Sequence, residues 1–433
     1  MKMIKRLFAL VAVLLLGVSL VACGGDKEEF IVIGNTATTS GPYAVVGVPF
    51  NQAIQVRIEA YNKLPEEERY LGGKKIKLVT YDDKFEADTG KTLTEKLVEE
   101  DKIFALVGHF GTPTVGATIE YINETGVPMV YAATGINALY QFKAVGSPVM
   151  PVQPIYQTDG RIMAARAIYE ELHGELTGEG IEAKGAKLAA TDKVGVLYTN
   201  DDAGLGILQG IEEEFKLAGR EAVLVKQSFE AEASSLQAAS TKMKTEDVKA
   251  IIIASNQAPF SAMTEQLAND GNTAAVFTSY VNSDPTAFKT TVEYDFNVYV
   301  NAWVDVLSEQ GQAAAGQYVA DITASEDLGL TEDEKTELMA NAFGTAGYIA
   351  IDIFIQGLAE YDKTWKDGDK LDRKAFIAAM EKTPFNVPMG STVDFTEGKR
   401  WGIANMSLLR FDAETKLFVV AREFEELVDI EKK

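Results

Sequence analysis

Few residues in this 433-residue chain suit covalent or metal chemistry: one cysteine, Cys23, and two histidines, His109 and His173. A single thiol forms no intramolecular disulfide and lacks the paired thiolates of a structural zinc site. A serine hydrolase needs a base beside its nucleophile, most often histidine, and the sequence carries no HExxH, GxSxG or paired CxxC motif. Local packing is the expected role of His109. His173, before Gly174, reads as the end of a helix, where a cation suits the dipole. Gly90-Lys91-Thr92 imitates the end of a phosphate loop, but the glycine needed five positions earlier is Phe85. Asp82-Asp83 and Asp201-Asp202 lack the spacing of a calcium loop and read as helix caps. These residues give no reason to expect an enzyme, a cofactor or a metal centre.

What remains is hydrogen-bonding chemistry, and it is concentrated where strands end. From Phe30 onward, short β-branched runs alternate with helical patterns. Phe30-Ile31-Val32-Ile33 predicts a strand, and Phe50, Ile54, Ile58 and Tyr61 mark one helical face. Strands are expected over 76–81, 103–107 and 128–132, with helices over 89–100 and 114–123 between them. The series restarts with strands over 194–199, 222–229, 250–254 and 274–280, again separated by helices. Such alternation predicts an α/β fold of two doubly wound, parallel-sheet lobes. Ligands of open α/β sheets sit outside the carboxyl ends of the strands. Here those positions are 35–42, 108–112, 133–137, 200–204, 255–258 and 279–284, rich in Gly, Ser, Thr and Asn. They also suit ordinary turns.

Charge narrows the partners. With 64 acidic against 41 basic residues the net charge is -23, which argues against a nucleic-acid partner, since phosphate binding is built from clustered Lys and Arg. Lys2, Lys5 and Arg6 precede an apolar run from Leu7 to Leu16, followed by Leu20-Val21-Ala22-Cys23. This is the order of a secretory leader, and the apolar run is shorter than the about 20 residues of a membrane helix. The tetrapeptide resembles the lipobox of bacterial lipoproteins, which implies cleavage before Cys23 and diacylation of its thiol. Processing would leave 411 residues and a net charge of -26. Two acyl chains are enough for stable anchoring. Residues 1–22 are thus expected to be a signal peptide, 23–29 a lipidated tether, and the remainder extracytoplasmic.

Over nearly the whole mature length the chain resembles the solute-binding lipoproteins of ABC importers, of the type I periplasmic-binding fold that includes the leucine/isoleucine/valine-binding protein. The resemblance rests on IVIGNTATTSGPYAVVG from Ile31 to Gly47, Tyr81-Asp82-Asp83, LVGHFGTPT from Leu106 to Thr114, and PMVYAATGINAL from Pro128 to Leu139. It continues through VGVLYTNDDAGLGILQG from Val194, FGTAGYIAIDIFIQGL from Phe343, and Gly390 to Phe395 with Gly398.

That resemblance implies two lobes joined by three crossing strands, with a ligand trapped by hinge closure. Residues 30–152 and 302–404 would form lobe 1, residues 153–300 and 406–425 lobe 2, and residues 426–433 a tail. It also implies a monomer that delivers a small solute to membrane permease subunits. A branched-chain or related amino acid is the first ligand expected; nucleosides, aromatic carboxylates and amides are the alternatives, as is a surface sensor on the same fold. Relatives hold a ligand carboxylate with donors that correspond to Gly111, Thr112, Thr134 and Gly135, and small residues at a helix start offer free N–H groups to an anion. Where relatives often place a tyrosine over the ligand, this chain has Ala203, and the acid that pairs with a ligand ammonium falls near Val281. Either Asp284, Asp201 or Asp202 substitutes, or the ligand is not an α-amino acid, because a buried ammonium without a partner is costly. Asn256 and Gln257 occupy pocket positions, and Val46 stands at a place that is often aromatic. Tyr43, Tyr131 and Tyr280 are the candidates to restore stacking surface.

Overall fold

The computed structural model describes residues 30–285, 288, 292–306 and 309–430. The leader, Cys23 and the tether lie outside the described residues.

The first lobe is built on β1 (Phe30–Ala37), α1 (Ala44–Asn62), β2 (Lys75–Asp82), α2 (Ala87–Glu99), β3 (Ala105–Phe110), α3 (Thr112–Thr125), β4 (Met129–Ala133) and β5 (Val149–Met150). The strands pair in parallel in the order β2-β1-β3-β4-β5. The chain then crosses over residues 151–155 into α4 (Tyr156–Tyr169), β6 (Val194–Tyr198), α5 (Asp202–Leu217), β7 (Leu224–Ser228), α6 (Ala233–Thr245), β8 (Ala250–Ala254), α7 (Gln257–Asn269), β9 (Ala275–Thr278) and β10 (Val298–Ala302). It returns to the first lobe for α8 (Glu309–Ala324), α9 (Glu332–Ala340), α10 (Ala342–Asp362) and α11 (Arg373–Met380). It ends in the second with β11 (Met406–Asp412) and β12 (Leu417–Glu425). The second sheet has the order β12-β11-β10-β9-β8-β6-β7, parallel except where β11 pairs with β10 and β12. Three passages between sheets thus join two doubly wound lobes.

The apolar stripe read from the sequence is the buried face of α1: Phe50, Ile54, Ile58 and Tyr61 are all within the core. It packs on α10, where Gly347 is required because a Cβ there would lie 2.0 Å from the carbonyl oxygen of Phe50. Among the described residues α10 is the one helix long and apolar enough to cross a membrane. Its composition follows from burial instead, since Ile349, Ile351, Ile353, Phe354 and Leu358 fill the first core.

Two features differ from the sequence reading. His173 is not at a helix end; it opens a small hairpin, His173–Thr177 with Lys184–Ala186. It is buried, and its Nε2 bonds the carbonyl of Ala167 at 2.9 Å. Burial lowers its pKa, so the favourable contact with the last turn of α4 is made by a neutral ring. Gly90 lies inside α2 and touches Thr114 of α3, whose side chain would sit 2.5 Å from an added Cβ. Its smallness serves helix packing, which explains a glycine before Lys-Thr without any phosphate.

Candidate functional site

In each sheet the strand order reverses once, between β1 and β3 in the first and between β6 and β8 in the second. Those reversals are where open α/β sheets leave a crevice. Gly111 ends the turn out of β3 with φ +97°, a conformation glycine adopts freely, and it positions Thr112 at the first turn of α3. Thr134 follows β4 directly. The two hydroxyls meet, Thr112 Oγ1 to Thr134 Oγ1, at 2.8 Å.

The second lobe closes on this pair through Tyr156, the first residue of α4. Its backbone N–H donates to Gly135 O at 2.6 Å, and its buried hydroxyl is held electrostatically by the Thr112 and Thr134 side chains. An added Cβ on Gly135 would lie 2.6 Å from the Tyr156 ring and 2.7 Å from the Tyr280 hydroxyl. Gly111, Thr112, Thr134, Gly135 and Tyr280 are therefore gathered around a residue that sequence reasoning did not select. The signal available was a tyrosine placed immediately after the crossing segment 151–155. Tyr280 stacks on Tyr156 with ring centroids 6.4 Å apart. Its hydroxyl donates to Pro154 O at 2.8 Å and accepts from Gln153 Nε2 at 3.1 Å, which ties it to the crossing segment.

The remaining candidates occupy the rim and the facing loops. Tyr43 is 49% exposed and stacks on Phe85, centroids 4.2 Å apart. Phe85 in turn covers Gly111, 2.9 Å from the position of a Cβ. Val46 is half-buried against the first core. Ala203 is buried in the first turn of α5. Gln257 donates to Val281 O at 2.6 Å, within its own lobe. Asn256 precedes α7 and makes no side-chain cap bond. Asp284 is half-buried just beyond the turn Tyr280–Asn282. Asp201 caps α5 by accepting from Gly204 N at 2.8 Å, and Asp202 is exposed.

Asp82 and Asp83 do not cap a helix, contrary to the sequence reading, because the residue before α2 is Glu86. They pin the turn after β1. Asp83 is fully buried and accepts from the hydroxyls of Thr36, Thr38 and Thr114 at 3.0, 3.1 and 2.7 Å. Asp82 accepts from Thr39 N at 3.0 Å and from the Ser40 hydroxyl. His109 completes the network: its Nε2 contacts Thr118 Oγ1 at 3.1 Å, and its Nδ1 accepts from Thr36 N at 3.5 Å. Thr118 Oγ1 already donates to Thr114 O at 2.8 Å, so it accepts from His109 Nε2–H. Burial lowers the His109 pKa to about 4 against the opposing pull of Asp83. A neutral histidine with both nitrogens used is structural.

Asn137 joins the lobes beside the site. Its Nδ2 donates to Gly206 O at 3.3 Å and Gln209 Oε1 at 3.0 Å, and its Oδ1 accepts from Gln157 N at 2.9 Å. A separate groove of about 600 Å³, lined by Gly174, Tyr294, Phe296 and Arg410 among others, lies where β9 and β10 begin. It is at the opposite end of those strands from the crevice. Among the described residues no group of three or more His, Cys, Asp or Glu could hold a metal ion.

The arrangement is a neutral hydroxyl cluster at the carboxyl ends of β3 and β4, covered by the facing lobe, which suits reversible capture of an anionic group. The same fold is found in several solved structures. A leucine-binding protein from Thermotoga maritima is 16% identical, with 91% of this chain and 97% of that one covered and a TM-score of 0.67. A fatty acid ABC transporter substrate-binding protein from Thermomonospora curvata is 16% identical over 93% and 94%, TM-score 0.68. An ABC transporter solute-binding protein from Rhodopseudomonas palustris, in complex with 3,4-dihydroxybenzoic acid, is 18% identical over 93% and 99%, TM-score 0.67. The periplasmic binding protein family model matches residues 31–416, and the chain belongs to that family, with the type I fold of ABC-transporter substrate-binding proteins.

Proposed function

We propose that this protein is the lipid-anchored solute-capturing subunit of an ABC importer, closing over a small carboxylate-bearing solute and handing it to permease subunits. It acts as a binding protein, not an enzyme, works as a monomer outside the cytoplasm, and is held at the membrane through Cys23. The observation that carries this reading is the Thr112–Thr134 hydroxyl pair, 2.8 Å apart and covered by Tyr156. Hydroxyl donors to a carboxylate form charge-assisted bonds, stronger than neutral ones. A branched-chain or related amino acid is the first ligand class to test. A carboxylate without an ammonium, such as an aromatic acid, is favoured by two features: Asp201 is committed to capping α5, and the Tyr43–Phe85 stack adds aromatic surface at the rim. The leucine, fatty acid and dihydroxybenzoic acid associated with the three proteins of the same fold are all carboxylates.

A thermal-shift panel of amino acids, aromatic acids, fatty acids and nucleosides tests the proposal. At a concentration 100 times its dissociation constant, a true ligand stabilises the protein by about 2.7 kcal/mol. An unchanged melting temperature across the panel would contradict it. A sensor on the same fold would bind equally well, but deleting its gene would leave uptake of the solute intact.

A further inference from the structure

Tyr131 stands out within β4, three residues before Thr134. Its φ is +62°, inside a strand and in a region where L side chains are strained. The β3–β4 ladder keeps one register, with Val107 opposite Val130 and His109 opposite Ala132, but the position between them is left unpaired. The residue it passes on β3 is Gly108, with φ +64°. Glycine takes that conformation freely, whereas a tyrosine there is strained, and such strain gathers at ligand sites.

A second, independent observation concerns the side chain. Tyr131 is completely buried, yet its hydroxyl has no hydrogen-bond partner in the protein. An unpartnered buried hydroxyl is destabilising. The ring lies 6.0 Å from that of Phe50 on α1 and 6.3 Å from that of Trp303, where the chain leaves β10 to return to the first lobe. Tyr280 of the second lobe lies within electrostatic reach of the ring. The ring thus packs between the first-lobe core and the start of a crossing segment, on the strand that leads to Thr134. Replacing Tyr131 with phenylalanine would keep the ring packing and remove the unpartnered atom, so packing alone does not account for tyrosine here.

We infer that the Tyr131 hydroxyl is a ligand contact at the floor of the crevice, bonding a polar atom of the captured solute. This rests on the solute-binding reading above. The test compares wild type with Tyr131→Phe in two measurements: thermal unfolding without ligand, and calorimetric titration with L-leucine, L-phenylalanine, benzoate and 4-hydroxybenzoate. The expected result is a ligand-free melting temperature equal to or above wild type, with affinity for the bound probe reduced by about two- to tenfold, the range of one neutral hydrogen bond. A lower ligand-free melting temperature would reveal an internal partner and overturn the assignment. Equal affinity in a wild type that binds and in Tyr131→Phe would overturn the assignment alone, leaving an ordered water as the hydroxyl's partner. A wild type that binds none of the four probes would overturn the functional reading and the assignment with it.

Discussion

Two buried titratable residues near the crevice pull stability in opposite directions with pH. His109, lowered to about 4 by burial, refuses a proton that the unfolded chain accepts below about 6.5. Its contribution therefore makes stability fall as pH drops from 6.5 towards 4, by on the order of 3 kcal/mol. Asp159 on α4 is pushed up to about 7, mainly by burial, with bonds from Ser279, Asn301 and the Tyr280 backbone opposing the shift. It holds a proton that the unfolded chain releases near pH 4, so its contribution is lost as pH rises through 7. In Asp159→Asn this second slope disappears, and Asn301 Oδ1, which lacks a partner, gains a nearby amide donor. Chemical denaturation from pH 5 to 7 should then show stability rising more steeply in the variant than in wild type. Superimposable profiles would mean that Asp159 does not change protonation on folding.

At the scale of elements, close helix contacts depend on glycine. On α4, a Cβ at Gly160 would lie 2.1 Å from Ile207 O, and on α5 a Cβ at Gly210 would lie 2.0 Å from Gln157 O. Those atoms are backbone and cannot rotate aside. Gly210→Ala is expected to destabilise by about 1–3 kcal/mol or more, as overpacking does. Gly316, exposed on α8 with open space around it, gives the contrast: Gly316→Ala should stabilise by about 0.5–1 kcal/mol. Urea denaturation of both variants checks the pair, and equal effects would contradict the packing argument. The alternating strands and helices of both sheets were legible because each carries its own period, and Phe50, Ile54, Ile58 and Tyr61 announce α1 without reference to anything distant, whereas α4, β10, α8 and α9 were not read. The site was legible only in part. Thr112 and Thr134 were reached by the family resemblance at strand ends, and the structure brings their hydroxyls together. Tyr156 was not selected, since its one local signal is its place just after the crossing segment and its role depends on a contact between lobes. Asp83 was misread for the same reason: its three hydroxyl partners come from β1, the turn behind it and α3.

For the molecule as a whole, capture requires that closure be favourable only with solute in place. Asn137 is placed to set that balance, because its amide bonds both α5 and the start of α4 across the lobe boundary. Asn137→Ala should weaken solute affinity by on the order of a hundredfold, mostly through faster release, given three bonds lost at about 1 kcal/mol each. Stopped-flow release rates would check this, and unchanged rates would show that Asn137 is not part of the latch. The net charge of -23 does not extend to the hydroxyl cluster, so affinity should depend little on salt compared with a site built on charged side chains. The central claim is that Thr112 and Thr134 hold the solute's carboxylate between the lobes. Isothermal titration of wild type and a Thr112→Val, Thr134→Val double variant with the strongest ligand from the thermal-shift panel tests it most directly. The account predicts one-to-one binding by wild type and at least a hundredfold loss in a variant that still folds, at about 1.5 kcal/mol or more for each charge-assisted bond. A folded variant that binds as tightly as wild type would contradict it.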